Sequence, residues 1–290
     1  MIKLVVSDMD GTLLSHSSDI SKGNQEAIKK LKENGIEFAI ASGRDYDGVH
    51  SVIDLYNIEC EAILGNGAQY ADKDGNILMS SYMNKSIVKD VVNAFESRGF
   101  SYALFTTKGF YTGGDAPLAR EKFVARGVRR FGVKREDYDL DGKFGGVFVN
   151  HLIKVDDFDA FLSTDVEIIK IESFCLTVEQ VADVQKELMT IPTISYLSSF
   201  DDNIEVTDQN AQKGLILEQV IELKGLKKDE VAVMGDGMND ITMFECFPYS
   251  FAPENAEQLI KEKAHKVVRD CEEDGVAEAI DYIINTVNKR

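Results

Sequence analysis

The sequence has no tryptophan, and only four prolines and four cysteines among its 290 residues. So little proline excludes a Pro-rich linker. The cysteines (Cys60, Cys175, Cys246, Cys271) are widely scattered and form no C-x-x-C pair. That spacing speaks against a disulfide framework or a cysteine-built zinc site, and leaves free or buried thiols in a reducing cytoplasm as the expectation. No apolar run approaches the roughly 20 residues of a membrane span. The opening, MIKLVVSDMD, reaches acids by Asp8, too early for the core of a signal peptide. Positive charge is also short: 32 Lys and Arg stand against 50 Asp and Glu, a formal net charge of −18. Such a chain is a poor electrostatic match for a nucleic-acid backbone.

What is present is globular material, with 44% hydrophobic and 28% charged residues. The length fits about two domains with a sizeable core. The first third alternates strand and helix: IKLVVS, a helix over 21–34 stopped at Gly35, EFAIAS, a helix over 46–56, then EAIL. The last third repeats this with a helix over 213–223, VAVM, a short helix over 239–245, YSFA, a helix over 254–263, HKVV and a closing helix over 276–287. Strict alternation predicts a parallel sheet with right-handed crossovers. The middle breaks the pattern. QYADKDGNILM reads as a hairpin turning at Asp74-Gly75. Mixed strands and helices follow, including VEIIKI, FCLTV, TISYLSSF and NIEV. The expected architecture is therefore an α/β fold, a Rossmann-like parallel-sheet core of residues 1–81 and 205–290, with an α+β domain of residues 82–204 inserted into it.

Four sites follow predicted strands, where open α/β sheets bind ligands. In SDMDGTLL, Asp8 and Asp10 lie two apart before Gly11. One carboxylate can attack phosphorus while the other moves protons. A calcium loop would need a further acid in step and a closing Glu, which are missing. In ASGR, the Ser42 hydroxyl and the backbone N–H groups around Gly43 can hold a phosphoryl oxygen; taken alone, this is an ordinary strand-to-helix turn. Lys213 opens a helix in NAQKG, where a lysine can neutralise phosphate, although any single lysine is usually a solvated one. MGDGMND gathers Asp236, Asn239 and Asp240, a donor set that suits Mg²⁺ with phosphate and water.

In this order the four motifs resemble the haloacid dehalogenase-like superfamily of phosphohydrolases, with its DxDGTL, [ST]GR, KG and GDGxND signatures. NGA at 66–68 and EDGVAEAI at 273–280 are similar to its Cof-type subgroup. The long interval between Ser42 and Lys213 holds the insertion, as in members with a type IIB α/β cap; mutases of the superfamily usually carry a helical cap after the first motif. The resemblance implies Asp8 as the phosphorylated nucleophile and Asp10 as general acid/base. Ser42, Gly43, Lys213 and Asn239 would hold the phosphoryl group. Mg²⁺ would sit on Asp8, Asp236 and the carbonyl of Asp10, with Asp240 in support. Arg44 and Asn66 are further candidates for substrate contact. CFPYSFAP departs from the pattern with three aromatics and two prolines where relatives have a small strand entry, read here as repacking of the sheet.

A basic stretch over 120–135 stands out in so acidic a chain, and Arg126 and Arg130 share a helix face with Arg129. It reads as a solvated flank or, more sharply, as a contact for an anionic part of the substrate. The histidines (His16, His50, His151, His265) show no metal-ligand spacing and read as surface or packing residues. The expected activity is Mg²⁺-dependent hydrolysis of a small phosphate ester; the alternatives are a phosphotransferase or mutase, and a non-catalytic phosphate-binding protein on the same fold.

Overall fold

The computed structural model describes residues 1–138, 147–198 and 201–289. β1 (Leu4–Ser7) is buried along its length. Val5 joins Ile28, Leu31, Ile40 and Val276 in the core on one face of the sheet. Leu4 and Val6 join Ile216, Leu217 and Val233 on the other. A strand covered on both faces has no polar side, which is why IKLVVS reads as one apolar run.

Helix Lys22–Glu33 leads to β2 (Glu37–Ala41), and helix Tyr46–Ile53 to β3 (Glu61–Leu64). β4 (Gln69–Ala71) and β5 (Ile77–Ser80) form the expected hairpin. Its turn is held by Asp72, whose carboxylate accepts from the N–H groups of Asp74 and Asn76 at 2.9 Å each. Gly75 there takes φ +83°, which favours glycine.

Six strands follow: β6 (Tyr102–Thr106), β7 (Gly109–Thr112), β8 (Ile153–Lys154), β9 (Ile168–Phe174), β10 (Ile194–Leu197) and β11 (Asn203–Asp208). The chain then returns with β12 (Val231–Met234), β13 (Tyr249–Pro253) and β14 (Lys266–Val268). Among the described residues the strands make two sheets. One runs β14-β13-β12-β1-β2-β3-β4-β5, parallel from β14 to β3. The other runs β10-β11-β9-β6-β7-β8, antiparallel except for β7 with β8.

The chain divides into two compact units, Met1–Ser80 with Asn210–Arg290, and Ser81–Gln209. The return crossing therefore lies after Gln209, not at the expected 204/205. The reason is β11: Asn203 to Val206 pair with Phe174 to Ile171 of β9, and Glu205 to Asp208 with β10, so this strand belongs to the second sheet. Sequence showed NIEV as a strand but not its partners. In the second unit, helices Lys85–Glu96 and Val178–Leu188 supply Val88, Val91, Phe95, Val181 and Val184 to a core shared with Leu104, Ile171 and Ile204.

Other expectations shift locally. FCLTV is not a strand: β9 ends at Phe174, Cys175 turns to φ +62°, and Thr177 starts a helix through a capping box with Gln180. The helix over 46–56 ends at Ile53 and continues as a 3-10 turn, Asp54–Tyr56. The closing helix is regular over Gly275–Tyr282 and widens to a π turn at Ile283–Val287. In CFPYSFAP, Phe247 and Phe251 are buried on opposite faces of the sheet, in keeping with repacking.

Register fixes where the motifs lie. Ser7 stands opposite Met234 on one side and Ile40 on the other, and Ala41 opposite Ile63. The segments starting at Asp8, Ser42, Gly65 and Gly235 thus leave the sheet at one end. β2 and β3 continue to one side of β1 and β12 to β14 to the other, so the β1/β12 crevice is the topological switch point.

One glycine is required by close approach. A Cβ on Gly214 would come within 2.3 Å of the backbone of Thr242, where helix Lys213–Leu223 crosses helix Ile241–Cys246. Gly214→Ala is expected to cost about 1–3 kcal/mol, the usual penalty of overpacking. Denaturant titration checks this; an unchanged midpoint would mean that the two helices separate freely.

Candidate active site

Asp8 follows β1 directly, and its N–H donates to the carbonyl of Met234 at 2.9 Å, which ties the first motif to the fourth. Asp8 and Lys213 are both buried, as is Asp240. The Lys213 ammonium donates to Asp8 Oδ1 at 2.5 Å and to Asp240 Oδ1 at 2.7 Å. Asp240 turns its other oxygen to the N–H groups of Asp236, at 2.9 Å, and Gly237, at 3.1 Å. It thereby orients both the lysine and the loop that carries Asp236. Thr12 donates its hydroxyl to Asp236 Oδ1 at 2.9 Å. A Cβ on Gly11 would fall 2.4 Å from an Asp236 oxygen, and Gly11 has φ +84°. Glycine after Asp10 is thus demanded twice, by conformation and by the approach of the fourth motif.

The electrostatics are unbalanced. Burial pushes the Asp8 carboxyl well above its ordinary value, with Lys213 offsetting part of this. Burial, and then the charge of Asp240, push Asp236 up to about 7, partly offset by the Thr12 hydroxyl. For Lys213, burial favours the neutral amine, but Asp240 and Asp8 outweigh it and hold the ammonium charged. Three carboxylates face one ammonium. Ligand oxygens of Asp8, Asp236 and Asp240 all lie within 4.8 Å of one another. Fully ionised, the group carries two uncompensated negative charges, and its hard oxygen donors fit a divalent cation.

Asp10 is exposed and gripped from the second motif. Arg44 Nε donates to one oxygen at 2.9 Å and Nη2 to the other at 2.6 Å, while Nη1 reaches the carbonyl of Gly48 at 3.1 Å. The Arg44 guanidinium is half-buried, which disfavours its charge, but Asp10 reverses that and raises it. Ser42 is buried; its hydroxyl accepts from the Arg44 N–H at 3.1 Å, and its carbonyl from the Asn66 N–H at 3.0 Å. A Cβ on Gly43 would meet the Asn66 side chain at 2.9 Å, so the second motif and NGA share one tight loop cluster. Asn239 donates to Asn66 Oδ1 at 3.3 Å and closes the ring of motifs.

The first unit thus brings together Asp8, Asp10, Ser42, Gly43, Arg44, Asn66, Lys213, Asp236, Asn239 and Asp240. Arg126 belongs to the second unit, where its guanidinium forms a two-pronged pair with Asp202, at 2.5 Å for each contact. The side chain of Arg130 lies outside the described residues. Sequence reading missed Thr12 and Asn255. Asn255 donates to the Gly11 carbonyl at 2.7 Å and accepts from the Cys271 N–H at 2.9 Å. Neither has a signal beyond its neighbourhood in a motif.

A parallel sheet whose central strand ends in a carboxylate held by a buried lysine, with further acids arriving from the adjacent strand, defines a phosphate-ester hydrolase. The chain belongs to the haloacid dehalogenase-like hydrolases, whose family pattern it matches over residues 5–280. It is a phosphoric monoester hydrolase of the Cof-type branch of that superfamily. It is 25% identical over 289 residues to phosphatase YwpJ of Bacillus subtilis, covering 98% of this chain and 100% of that one. A haloacid dehalogenase-like hydrolase from B. subtilis superposes with a TM-score of 0.83 at 25% identity, over 97% of this chain and 100% of the other. The subclass IIB sugar phosphatase BT4131 shares the fold with a TM-score of 0.76 at 21% identity, over 97% and 98% of the two chains.

Proposed function

We propose that this chain is a Mg²⁺-dependent phosphatase of small phosphate monoesters, such as sugar phosphates, nucleotides or phosphorylated cofactors, acting in the cytoplasm through a phosphoryl group carried on Asp8. The observation that carries the reading is the buried Asp8–Lys213–Asp240 chain beside Asp236. A lysine buried this deeply, between two carboxylates, has a use where a third anion must enter.

In this reading Asp8 attacks phosphorus, and the bond to the ester oxygen breaks as Asp10 gives that oxygen a proton. Water then attacks the phosphoryl group, Asp10 takes its proton, and Asp8 is released. Lys213, the Ser42 hydroxyl, the backbone of Gly43 and Asn239 hold the transferring oxygens. Asp8, Asp236 and the backbone carbonyl of Asp10 would hold Mg²⁺, which when bound screens the repulsion between carboxylate and phosphate. Asp240 positions Lys213 and Asp236. The second unit, residues 81–209, would supply selectivity for the leaving group, since the motif residues recognise only phosphate and metal. Phosphate release from a panel of esters, with Mg²⁺ and with chelator, tests the proposal. Turnover that survives exhaustive chelation, or no turnover on any ester, would overturn it.

Arg44 gains a role in this scheme beyond substrate contact, because its fork sets the direction of Asp10. Arg44→Lys keeps the charge and loses the fork. It is expected to lower kcat about tenfold or more, with little change in KM and a larger effect on esters with poor leaving groups. A rise in KM alone would return Arg44 to substrate binding.

A further inference from the structure

The chain carries a second cluster of metal-ligand side chains, built from residues that sequence spacing separates. His16 lies in the loop after the first motif, and Asp270 and Cys271 in the segment after β14. One ligand atom from each lies within 4.8 Å of the other two. We propose that His16, Asp270 and Cys271 form a thiolate-containing site for a borderline-soft divalent cation of the Zn²⁺ class, distinct from the hard-oxygen group at Asp8 and Asp236.

The donor types carry the choice of ion. One sulfur, one imidazole and one carboxylate match the mixed ligands of zinc-type sites and not the all-oxygen shells of Mg²⁺ or Ca²⁺. The spacing is close to what is needed. Bonds of about 2.0–2.3 Å arranged tetrahedrally place ligand atoms about 3.3–3.8 Å apart, so the group closes around an ion with shifts of about an ångström. His16 is exposed and reorients readily, whereas Cys271 is buried. Burial, and then the neighbouring Asp270 carboxylate, push the Cys271 thiol up to about 12, so an ion has to displace its proton.

The frame is held independently of any ion. The His16 N–H donates to Glu272 at 2.5 Å, and Ser21 donates its hydroxyl to Asp274, so two bonds clamp the loops of 15–21 and 270–274 together. Asp270 spends one oxygen on the Glu272 N–H at 2.9 Å and keeps the other. Asn255 fixes the Cys271 backbone and runs on to the Gly11 carbonyl. With three protein ligands and one of them at the surface, the fourth position is open to water. Binding is ligand exchange without redox chemistry: the metal–sulfur bond forms as the Cys271 proton leaves to solvent.

Co²⁺ added to the full-length protein is the probe, because only a thiolate ligand gives the near-ultraviolet sulfur-to-cobalt charge-transfer band. Oxygen-bound Co²⁺ at Asp8 and Asp236 does not contribute to it. Wild-type protein is expected to develop the band to one thiolate per chain, and Zn²⁺ is expected to bleach it. Cys271→Ser should abolish the band. His16→Ala, an exposed change that leaves the fold intact, should weaken Co²⁺ binding at least about tenfold, since even outer-shell changes cost that much. Cys246→Ser should leave the band unchanged. No band in the wild type, or a band that persists in Cys271→Ser, overturns the proposal. Equal Co²⁺ affinity in His16→Ala removes the histidine from the site and overturns the three-ligand assignment.

Discussion

Asp8→Asn is expected to abolish the phosphoenzyme and to lower kcat by about four orders of magnitude or more, the scale on which loss of a covalent nucleophile acts. An amide is a poor nucleophile toward phosphorus and cannot become an acyl phosphate of the same kind. The variant should fold at least as well as the wild type. Asp8, Asp236 and Asp240 crowd three carboxylates around one ammonium, and burial already opposes ionisation of Asp8. Replacing it with a neutral residue relieves repulsion, while Lys213 keeps its partner Asp240 at 2.7 Å. Activity and stability should therefore move in opposite directions, as expected where a site is built for reaction at the expense of the fold. Rapid-quench trapping with radiolabelled ester, beside thermal melts, reads both quantities. A phosphoryl group trapped on another residue of the wild type would remove Asp8 from the role. A large loss of stability in Asp8→Asn would make the ion chain structural instead.

Much of this site was legible because sequence and sheet share a period. Each motif acid follows a short apolar run, and a run covered on both faces is a central parallel strand, so Asp8 and Asp236 had to emerge at one end. Lys213 was legible as a helix opener, but its burial was not. A lone lysine is normally solvated, and only the carboxylates of Asp240 and Asp8, arriving from other segments, make a buried one stable. Contacts through space left less trace. Nothing local in Thr12 announces the hydrogen bond to Asp236, and the fork of Arg44 on Asp10 joins residues from different strand ends. NIEV was readable as a strand, but pairing is set by the partner's register, so the return crossing came out five residues early. His16 and Cys271 failed the spacing rules for the same reason: those rules detect local ligand pairs, and these two meet through the fold.

The metal-free protein is expected to lose stability as pH rises from about 4 to about 7, and Mg²⁺ is expected to remove that loss. Asp236 is raised to about 7 in the fold, chiefly by burial and then by Asp240, from an ordinary value of 3.8. Between those values the folded chain holds a proton at Asp236 that the unfolded chain has released. Stability then falls with pH, because the unfolded state binds fewer protons. The contribution is present below the unfolded value and lost as pH climbs through the folded one, on the order of a few kcal/mol in all. A divalent cation held there would compete with that proton for the same carboxylate. Its stabilisation follows its apparent affinity, so the rise in Tm on adding Mg²⁺ should be small near pH 5 and large near pH 8. Asp236→Asn separates this from every other titrating group. An asparagine oxygen can still accept from Thr12, so the loop should hold. Its Tm in chelator should be less dependent on pH than the wild type's and higher near pH 8, while its Mg²⁺ response and turnover fall sharply. A Tm rise with Mg²⁺ that is equal at both pH values, or one that survives in Asp236→Asn, would move the cation away from the fourth motif.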